Sequence, residues 1–207
     1  MTRLTTGLPA LDRQLDGGIP SGSIVLLSAP PASQSELFLY SFTADRRTLY
    51  LSAIRSSEAV ADGLARANVR AGDPEIRELG GDTPLDRANK LVGTLPEEST
   101  LIVDPIDPLE RQEPGRYRYF LESLQMHLRN TESVAIIHAM AGRSVPELRD
   151  HTEHVADAVF DLRTEVVGNE VVNRLAIPKF RGGRAPDETI KLELTDGLAI
   201  DTSRDIA

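Results

Sequence analysis

Two polar residues follow apolar runs in a pattern that could bind a nucleotide phosphate and its metal ion. Residues 23–29 (SIVLLSA) lead through a short turn to Ser35, and residues 101–104 (LIVD) end in Asp104. At the end of a parallel strand, the backbone N–H groups of such a turn can surround phosphates, while a hydroxyl and a carboxylate hold Mg²⁺. The pattern therefore predicts a phosphate-binding frame in which Ser35 and Asp104 are the metal residues if a nucleotide binds.

The turn lacks most of the groups that bind a triphosphate. The motif G-x-x-x-x-G-K-[ST] uses glycines for close backbone approach and a lysine on the β- and γ-phosphates. Here residues 30–35 (PPASQS) contain no glycine, the two prolines have no N–H to donate, and Gln34 takes the lysine position. The remaining candidate nucleotide contacts are Ala32, Ser33, Gln34, Ser35 and Asp104. An ordinary strand-to-helix turn, with Asp104 shaping a second turn before Pro105, is the alternative interpretation.

The composition is that of a globular protein without cysteine chemistry. The 207 residues are 40% hydrophobic and 27% charged, and the absence of cysteine excludes disulfides, thiolate metal sites and cysteine nucleophiles. Neither a secretory signal nor a run of the roughly 18 apolar residues that a membrane span needs is present, so we expect a cytoplasmic protein with no membrane partner. The net charge of −9 argues against broad attraction to nucleic acid. Only three of the 23 basic residues are lysines, a composition compatible with a high-salt cytoplasm.

Short runs rich in Val, Ile and Leu alternate with segments of helical period, which is typical of a parallel sheet with helices on both faces. The predicted strands are 23–29, 47–53, 75–79, 99–104 and 133–140, and the predicted helices are 36–44, 56–69, 83–95 and 117–129. Two hairpins follow, with strands at 158–167, 170–180, 189–195 and 198–201. We predict one domain over 1–207: an α/β core with a mostly parallel sheet at 1–155, an antiparallel β extension at 156–201 and a tail at 202–207.

The order of these segments resembles the RecA/KaiC superfamily of P-loop ATPases, nearest to short single-domain KaiC-like and RadA-related proteins of archaea. The resembling segments are residues 6–12 (TGLPALD) and 17–23 (GGIPSGS), the Walker A stretch at 26–35, the Walker B strand at 101–104, and the late segments 153–159 (EHVADAV) and 175–182 (LAIPKFRG). They cover nearly the whole chain. The resemblance implies a RecA-like fold with ATP and Mg²⁺ as possible cofactors.

The departures from the family pattern fall on catalytic positions. KaiC-like members end the second strand in paired glutamates that activate water, and those places hold Ile54 and Arg55 here. An arginine cannot act as a general base, and Gln34 cannot neutralise a transferring phosphoryl group. The resemblance therefore implies a degenerate KaiC/RecA-like regulatory or assembly module with weak or no ATP binding, no catalytic residue and no hydrolysis. A divergent ATPase that recruits a cation such as Arg55, or Lys179 of a neighbouring copy, is the alternative.

Lys179 and Arg181 lie two residues apart on a predicted strand, which puts both on one face. In hexameric members of the family the equivalent pair reaches across the subunit interface to the neighbour's phosphate. The resemblance thus implies a homo-oligomer, or a protein partner whose site this trans-acting finger completes. A basic, exposed edge strand that resists aggregation explains the pair equally well.

Three further features have both a functional and a structural explanation. Residues 116–119 (RYRY), with Arg116 and Arg118, could stack on single-stranded DNA in a recombination or repair accessory, or could begin a helix. His151 and His154 could bind a metal or lie on a solvated helix end. His138 ends the fourth strand, where family members carry a polar sensor residue near the γ-phosphate, and a core histidine is the alternative. The spacing of the sequence does not identify a Ser/His/Asp triad.

Overall fold

The computed structural model describes residues 2–200. These residues form a large mixed β-sheet and a small second sheet, with helices between the strands. The strands of the two sheets are β1 (Arg3–Leu4), β2 (Ile19–Pro20), β3 (Ile24–Ala29), β4 (Thr48–Ser52), β5 (Glu75–Glu78), β6 (Thr100–Asp104), β7 (Val134–Met140), β8 (Ala158–Val167), β9 (Glu170–Phe180), β10 (Ile190–Leu194) and β11 (Leu198–Ile200). The helices are α1 (Pro9–Gln14), α2 (Glu36–Ser41), α3 (Ser57–Arg66), α4 (Pro84–Val92), α5 (Asp107–Glu110), α6 (Pro114–Asn130) and α7 (Arg149–Val155). The predicted tail at 202–207, and residue 201 of the predicted extension, lie outside the described residues.

The main sheet has the strand order β11-β10-β9-β8-β3-β7-β6-β4-β5. Strands β8, β3, β7, β6, β4 and β5 form a parallel series. On the other side of β8, strands β9, β10 and β11 continue the sheet, each antiparallel to the strand before it. Strands β1 and β2 form a separate antiparallel pair. The predicted α/β architecture, a mostly parallel sheet with antiparallel C-terminal strands, is confirmed.

Alternate residues of the central strands pack on opposite faces of the sheet. On β3, Val25 and Leu27 join a hydrophobic cluster with residues of α2 and α3. Ile24 and Leu26 point the other way, into a cluster with residues of α4 and α6. Because both faces are covered by helices, the strand is apolar throughout, which explains why its sequence is a continuous run rather than an alternating one.

Element boundaries differ from the predicted ones mainly at helix ends. Helices α2, α3 and α4 each end three residues before the predicted positions 44, 69 and 95. Helix α6 begins at Pro114 rather than at 117, because the Glu113 carboxylate accepts hydrogen bonds from the N–H groups of Gly115 and Arg116. Helices α1, α5 and α7 and the β1–β2 pair were not predicted. The buried residues of α7 are polar, so this helix has no apolar stripe to identify it.

The topology brings four loops to one edge of the sheet. Strands β3, β7, β6 and β4 are parallel neighbours, so the segments that follow them leave at the same end. In open α/β sheets, ligands bind in the crevice at this carboxyl end. No helix within residues 2–200 is both long and apolar enough to cross a bilayer.

Candidate functional site

Ser35, His138 and Asp104 are connected by hydrogen bonds at the carboxyl edge of the sheet. The Ser35 Oγ lies 3.1 Å from His138 Nε2, and His138 Nδ1 lies 2.7 Å from Asp104 Oδ1. Ser35 occupies the residue before α2, yet its hydroxyl does not cap the helix and contacts the imidazole instead. Asp104 ends β6 and His138 belongs to β7, whose parallel register pairs Val103 with Ile137.

Tyr50 and Arg55 bind the second oxygen of the same carboxylate. The Tyr50 hydroxyl donates to Asp104 Oδ2 at 2.5 Å, and the Arg55 guanidinium donates to that oxygen at 2.7 Å. Arg55 also donates to the hydroxyls of Tyr50 and Tyr40, at 3.1 and 3.2 Å. Ser35, His138, Asp104, Tyr50 and Arg55 are hereafter called the cleft cluster.

Asp104 is ionised at neutral pH. Burial by itself raises its pKa, but the hydrogen bonds from His138 and Tyr50 and the charges of His138 and Arg55 outweigh burial and lower the pKa to about 2. Burial and the neighbouring Asp104 charge raise the pKa of Tyr50 well above its ordinary value, so its hydroxyl keeps its proton and donates. A carboxylate beside Nδ1 of His138 favours the tautomer with its hydrogen on Nδ1. In this neutral form Nε2 can accept the Ser35 O–H, whereas a protonated imidazole would donate at both nitrogens.

The two groups predicted to hold magnesium are hydrogen-bonded to protein side chains in this structure. Both Asp104 oxygens are hydrogen-bonded to side chains, and the Ser35 hydroxyl contacts His138. The Arg55 guanidinium supplies positive charge to Asp104, as the metal would. Across residues 2–200, the structure contains no group of three His, Asp or Glu side chains that could hold a metal ion.

The turn that precedes Ser35 hydrogen-bonds to itself. Both the backbone N–H and the hydroxyl of Ser33 donate to the Pro30 carbonyl, at 3.0 and 2.6 Å. Ala32 and Gln34 are exposed. Of the predicted nucleotide contacts, Ser35 and Asp104 are brought together through His138, whereas Ala32, Ser33 and Gln34 lie in the turn before Ser35, and their contact with a nucleotide stays a prediction.

A cleft of about 300 Å³ opens over the cleft cluster. Its further walls come from the apolar residues Pro31, Ile54, Pro105 and Met140 and from the polar residues Ser33 and Glu36. Ile54 is 61% exposed. The cleft thus has an apolar side and a polar side, with the Ser35 hydroxyl, the His138 imidazole, the Asp104 carboxylate and the Arg55 guanidinium among its lining groups.

Lys179 and Arg181 bind the end of α7, and none of their described hydrogen bonds reaches the cleft cluster. The Lys179 ammonium donates to the carbonyls of Glu153 and His154, both at 2.8 Å. Arg181 donates to the carbonyls of His154 and Val155, at 3.0 and 3.2 Å. Strand β10 pairs with β9 only at residues 173–175, and the described pairing of β9 near Lys179 is with β8 alone, so the interpretation as a basic edge strand stays a prediction.

The RYRY segment forms the first turns of α6. Tyr117 is fully buried and hydrogen-bonds to Thr152, so it offers no surface to a nucleobase. Arg116 pairs with Asp86, while Tyr119 is 65% exposed. His151 and His154 lie on α7, and His154 is exposed. The helix-start interpretation accounts for this segment.

Sequence reasoning missed the contacts that hold the cleft cluster together. His138 was considered as a sensor or a core residue, and Tyr50 was not considered. The bonded residues are far apart along the chain, with a sequence separation of 34 for Asp104 and His138 and of 103 for Ser35 and His138. The available signal was that two consecutive predicted strands each carry a polar residue after an apolar run, Asp104 after LIV and His138 after AII.

Comparisons with known proteins agree with this fold. Residues 3–207 match a family described as "Family of unknown function (DUF7125)". No curated protein matches the sequence. The crystal structure of a KaiC-like protein from the hyperthermophilic archaeon Pyrococcus horikoshii OT3 is similar to this chain with a TM-score of 0.78 and 18% identity, covering 96% of this chain and 98% of that one. The similarity establishes a RecA/KaiC-like fold, as the sequence resemblance predicted.

Proposed function

The chain belongs to the DUF7125 family, and we propose that it is a RecA/KaiC-like regulatory or assembly module that binds Mg-ATP weakly or not at all and does not hydrolyse it. The proposal takes residues 1–207 as one domain, with a core at 1–155, an antiparallel extension at 156–201 and a tail at 202–207. The continuous main sheet supports this division, because β8 joins the parallel strands to the antiparallel ones. The absence of cysteine supports a cytoplasmic location.

The contact between Arg55 and Asp104 carries this proposal. Arg55 stands where the resemblance expects a glutamate that activates water, and its guanidinium lies 2.7 Å from the carboxylate that would hold the metal. A magnesium ion would have to displace a charge-assisted hydrogen bond in a site where the Asp104 side chain is only 6% exposed. Phosphoryl transfer depends mainly on positioning and positive charge, and both are reduced here.

The absence of the phosphate-binding lysine supports the same conclusion. Gln34 is exposed and neutral, and the Ser33 N–H, which could otherwise face a phosphate, is hydrogen-bonded to Pro30. Losing a cationic clamp and a base each costs several kcal/mol of transition-state stabilisation. A role that depends on shape and contacts rather than on turnover is compatible with these losses.

Phosphate release from Mg-ATP tests the proposal. Wild type, Asp104→Ala and Gln34→Lys are all expected to release phosphate at the buffer rate, because the lysine variant still has Arg55 bound to Asp104. Asp150→Ala removes an exposed carboxylate outside the cluster and is the matched control. Wild-type turnover that Asp104→Ala abolishes and Asp150→Ala preserves would overturn the proposal.

The assembly part is tested by light-scattering mass measurement with and without Mg-ATP. We expect the same mass in both conditions, because Gln34 replaces the phosphate-binding lysine through which a nucleotide could drive assembly. A mass that increases in steps on addition of Mg-ATP, and returns when EDTA is added, would contradict a nucleotide-independent module.

A further inference from the structure

The Ser35–His138–Asp104 connection has the geometry of a nucleophile, a base and an orienting acid. Such sites place the nucleophile within about 2.6–3.2 Å of the base, and the base is held by a third group. The two distances here, 3.1 and 2.7 Å, meet both conditions. The same three roles occur on unrelated folds and are recognised by geometry rather than by sequence position. We propose that these residues form a catalytic triad that cleaves carboxylic esters of short, apolar acyl groups.

Two observations distinguish the cleft cluster from a core histidine whose ring nitrogens are hydrogen-bonded only for stability. Tyr50 and Arg55 hold Asp104 Oδ2, which leaves Oδ1 directed at His138 Nδ1 and fixes the imidazole orientation. Ser35 and His138 are both part of the wall of an open cleft. Ser35 is only 5% exposed, so this cleft is the route by which a substrate would reach its hydroxyl.

The cleft limits the class of substrate. Its volume of about 300 Å³ is at the lower end of the range for small-molecule sites, which favours an acyl group of a few carbons. Pro31, Ile54 and Met140 provide apolar contact, while Arg55 and Glu36 place a guanidinium and a carboxyl group in the wall, so the cleft has no single charge with which to select an ionic substrate. We therefore expect a neutral ester such as a butyrate to bind better than a charged or bulky one.

The chemical step follows from the hydrogen-bond geometry of Ser35, His138 and Asp104. The Ser35 oxygen attacks the ester carbonyl carbon while its proton passes to Nε2 of His138. The tetrahedral adduct then collapses, the bond to the alcohol oxygen breaks, and His138 returns the proton to the departing alcohol. Water attacks the acyl-serine in the same way, giving the carboxylic acid and restoring the Ser35 hydroxyl. Asp104 stays ionised throughout and stabilises the imidazolium.

A fluorophosphonate probe tests the nucleophile directly on the full-length protein. The Ser35 oxygen is expected to displace fluoride at phosphorus, leaving a covalent adduct that peptide mass spectrometry assigns to Ser35. Ser35→Ala should lose the adduct, whereas Ser123→Ala, a serine on α6 outside the cluster, should keep it. This localisation in wild type needs no variant to fold. An unmodified Ser35 under conditions that label a control esterase, or label spread evenly over several serines, would overturn the proposal.

Hydrolysis of p-nitrophenyl butyrate tests the base and the acid. His138→Gln and Asp104→Asn are each expected to slow turnover by about 100-fold or more, with native circular dichroism as the check on folding. Turnover that is insensitive to Ser35→Ala, or equal in wild type and His138→Gln, would refute the triad. Ester cleavage and phosphate release are separate measurements, so this inference and the proposed module can fail independently.

Discussion

Two polar clusters lie near the carboxyl ends of strands β6 and β7. They differ mainly in whether a cleft connects them to solvent. One is the cleft cluster. The other is hereafter called the enclosed cluster and consists of Asp107, Glu110, Tyr117, Arg149 and Thr152. Each contains an arginine on a carboxylate, a tyrosine and a small hydroxyl side chain. The cleft cluster opens into a cavity, whereas the enclosed one is sealed by α5, α6 and α7.

The enclosed cluster has a partner for each of its charged groups. Arg149 donates to Glu110 at 2.8–3.0 Å and to Asp107 at 2.9 Å, and Thr152 donates to Glu110 at 2.5 Å. The exposed fractions of the Arg149, Asp107 and Glu110 side chains are 5%, 3% and 0%. Arg55, by contrast, is 36% exposed. Similar side chains are therefore fully enclosed in one cluster and line an open cleft in the other.

The largest expected effect comes from breaking the enclosed cluster with Arg149→Ala. This change leaves Asp107 and Glu110 buried without their cation, which in comparable cases costs about 3–5 kcal/mol. We expect the free energy of unfolding, measured by urea titration, to fall by about that amount.

The matched control for this change is Arg163→Ala. Arg163 pairs with Asp161 at 2.8 Å, but its side chain is 62% exposed, so the loss should be at most about 1 kcal/mol. Equal losses in the two variants would show that enclosure does not distinguish the enclosed cluster from a surface ion pair.

An intermediate effect is expected when acid titrates the cleft cluster. The pKa of Asp104 is lowered from 3.8 to about 2, so its stabilising contribution is complete above about pH 4 and is lost as the pH falls toward 2. This shift corresponds to about 2 kcal/mol. Between pH 4 and 2, wild type should therefore lose about 2 kcal/mol more unfolding free energy than Asp104→Asn.

Urea titrations at several pH values measure this difference, with Asp150→Asn as the control because Asp150 is exposed. The control should keep the wild-type pH dependence. If Asp104→Asn also kept it, the hydrogen bonds from His138 and Tyr50 would not be holding the carboxylate ionised.

The sequence predicted the strands well because a buried strand has a local signature. The runs SIVLLSA and LIVD correspond to β3 and β6 to within one residue, and Ser35 and Asp104 were chosen as site residues because they follow such runs. Helix α7 was missed because its inward face carries Arg149 and Thr152, whose burial depends on partners about 40 residues away. A helix with a polar buried face has no periodic signal in the sequence.

The arrangement within the cleft cluster depends on contacts that no local pattern contains. Asp104 meets His138 only because β6 and β7 are neighbours in a particular register. Arg55 was recognised as replacing a glutamate, but its contact with Asp104 depends on the path of the chain after β4. Residue types at strand ends could therefore be predicted, whereas their partners required the assembled sheet.

The smallest expected effect comes from the cations that cap α7, the helix that carries Arg149. Lys179 and Arg181 donate to the last carbonyls of this helix, a contact worth about 0.3–1 kcal/mol at exposed positions. Lys179→Ala and Arg181→Ala should each lower the free energy of unfolding by about 0.5 kcal/mol. Hydrogen exchange should increase first at the C-terminal amides of α7.

The unfolding free energy of the Lys179→Ala/Arg181→Ala double variant shows which contacts hold α7 in place. If the double variant lost as much stability as Arg149→Ala, the caps rather than the enclosed cluster would hold the helix in place. If the double variant lost nothing, the two cations would be free to leave the helix, and a role toward a partner's phosphate would become the better explanation for them. A small loss confined to the end of α7 is expected, because Arg149 and Thr152 are fixed by Glu110 independently of the caps.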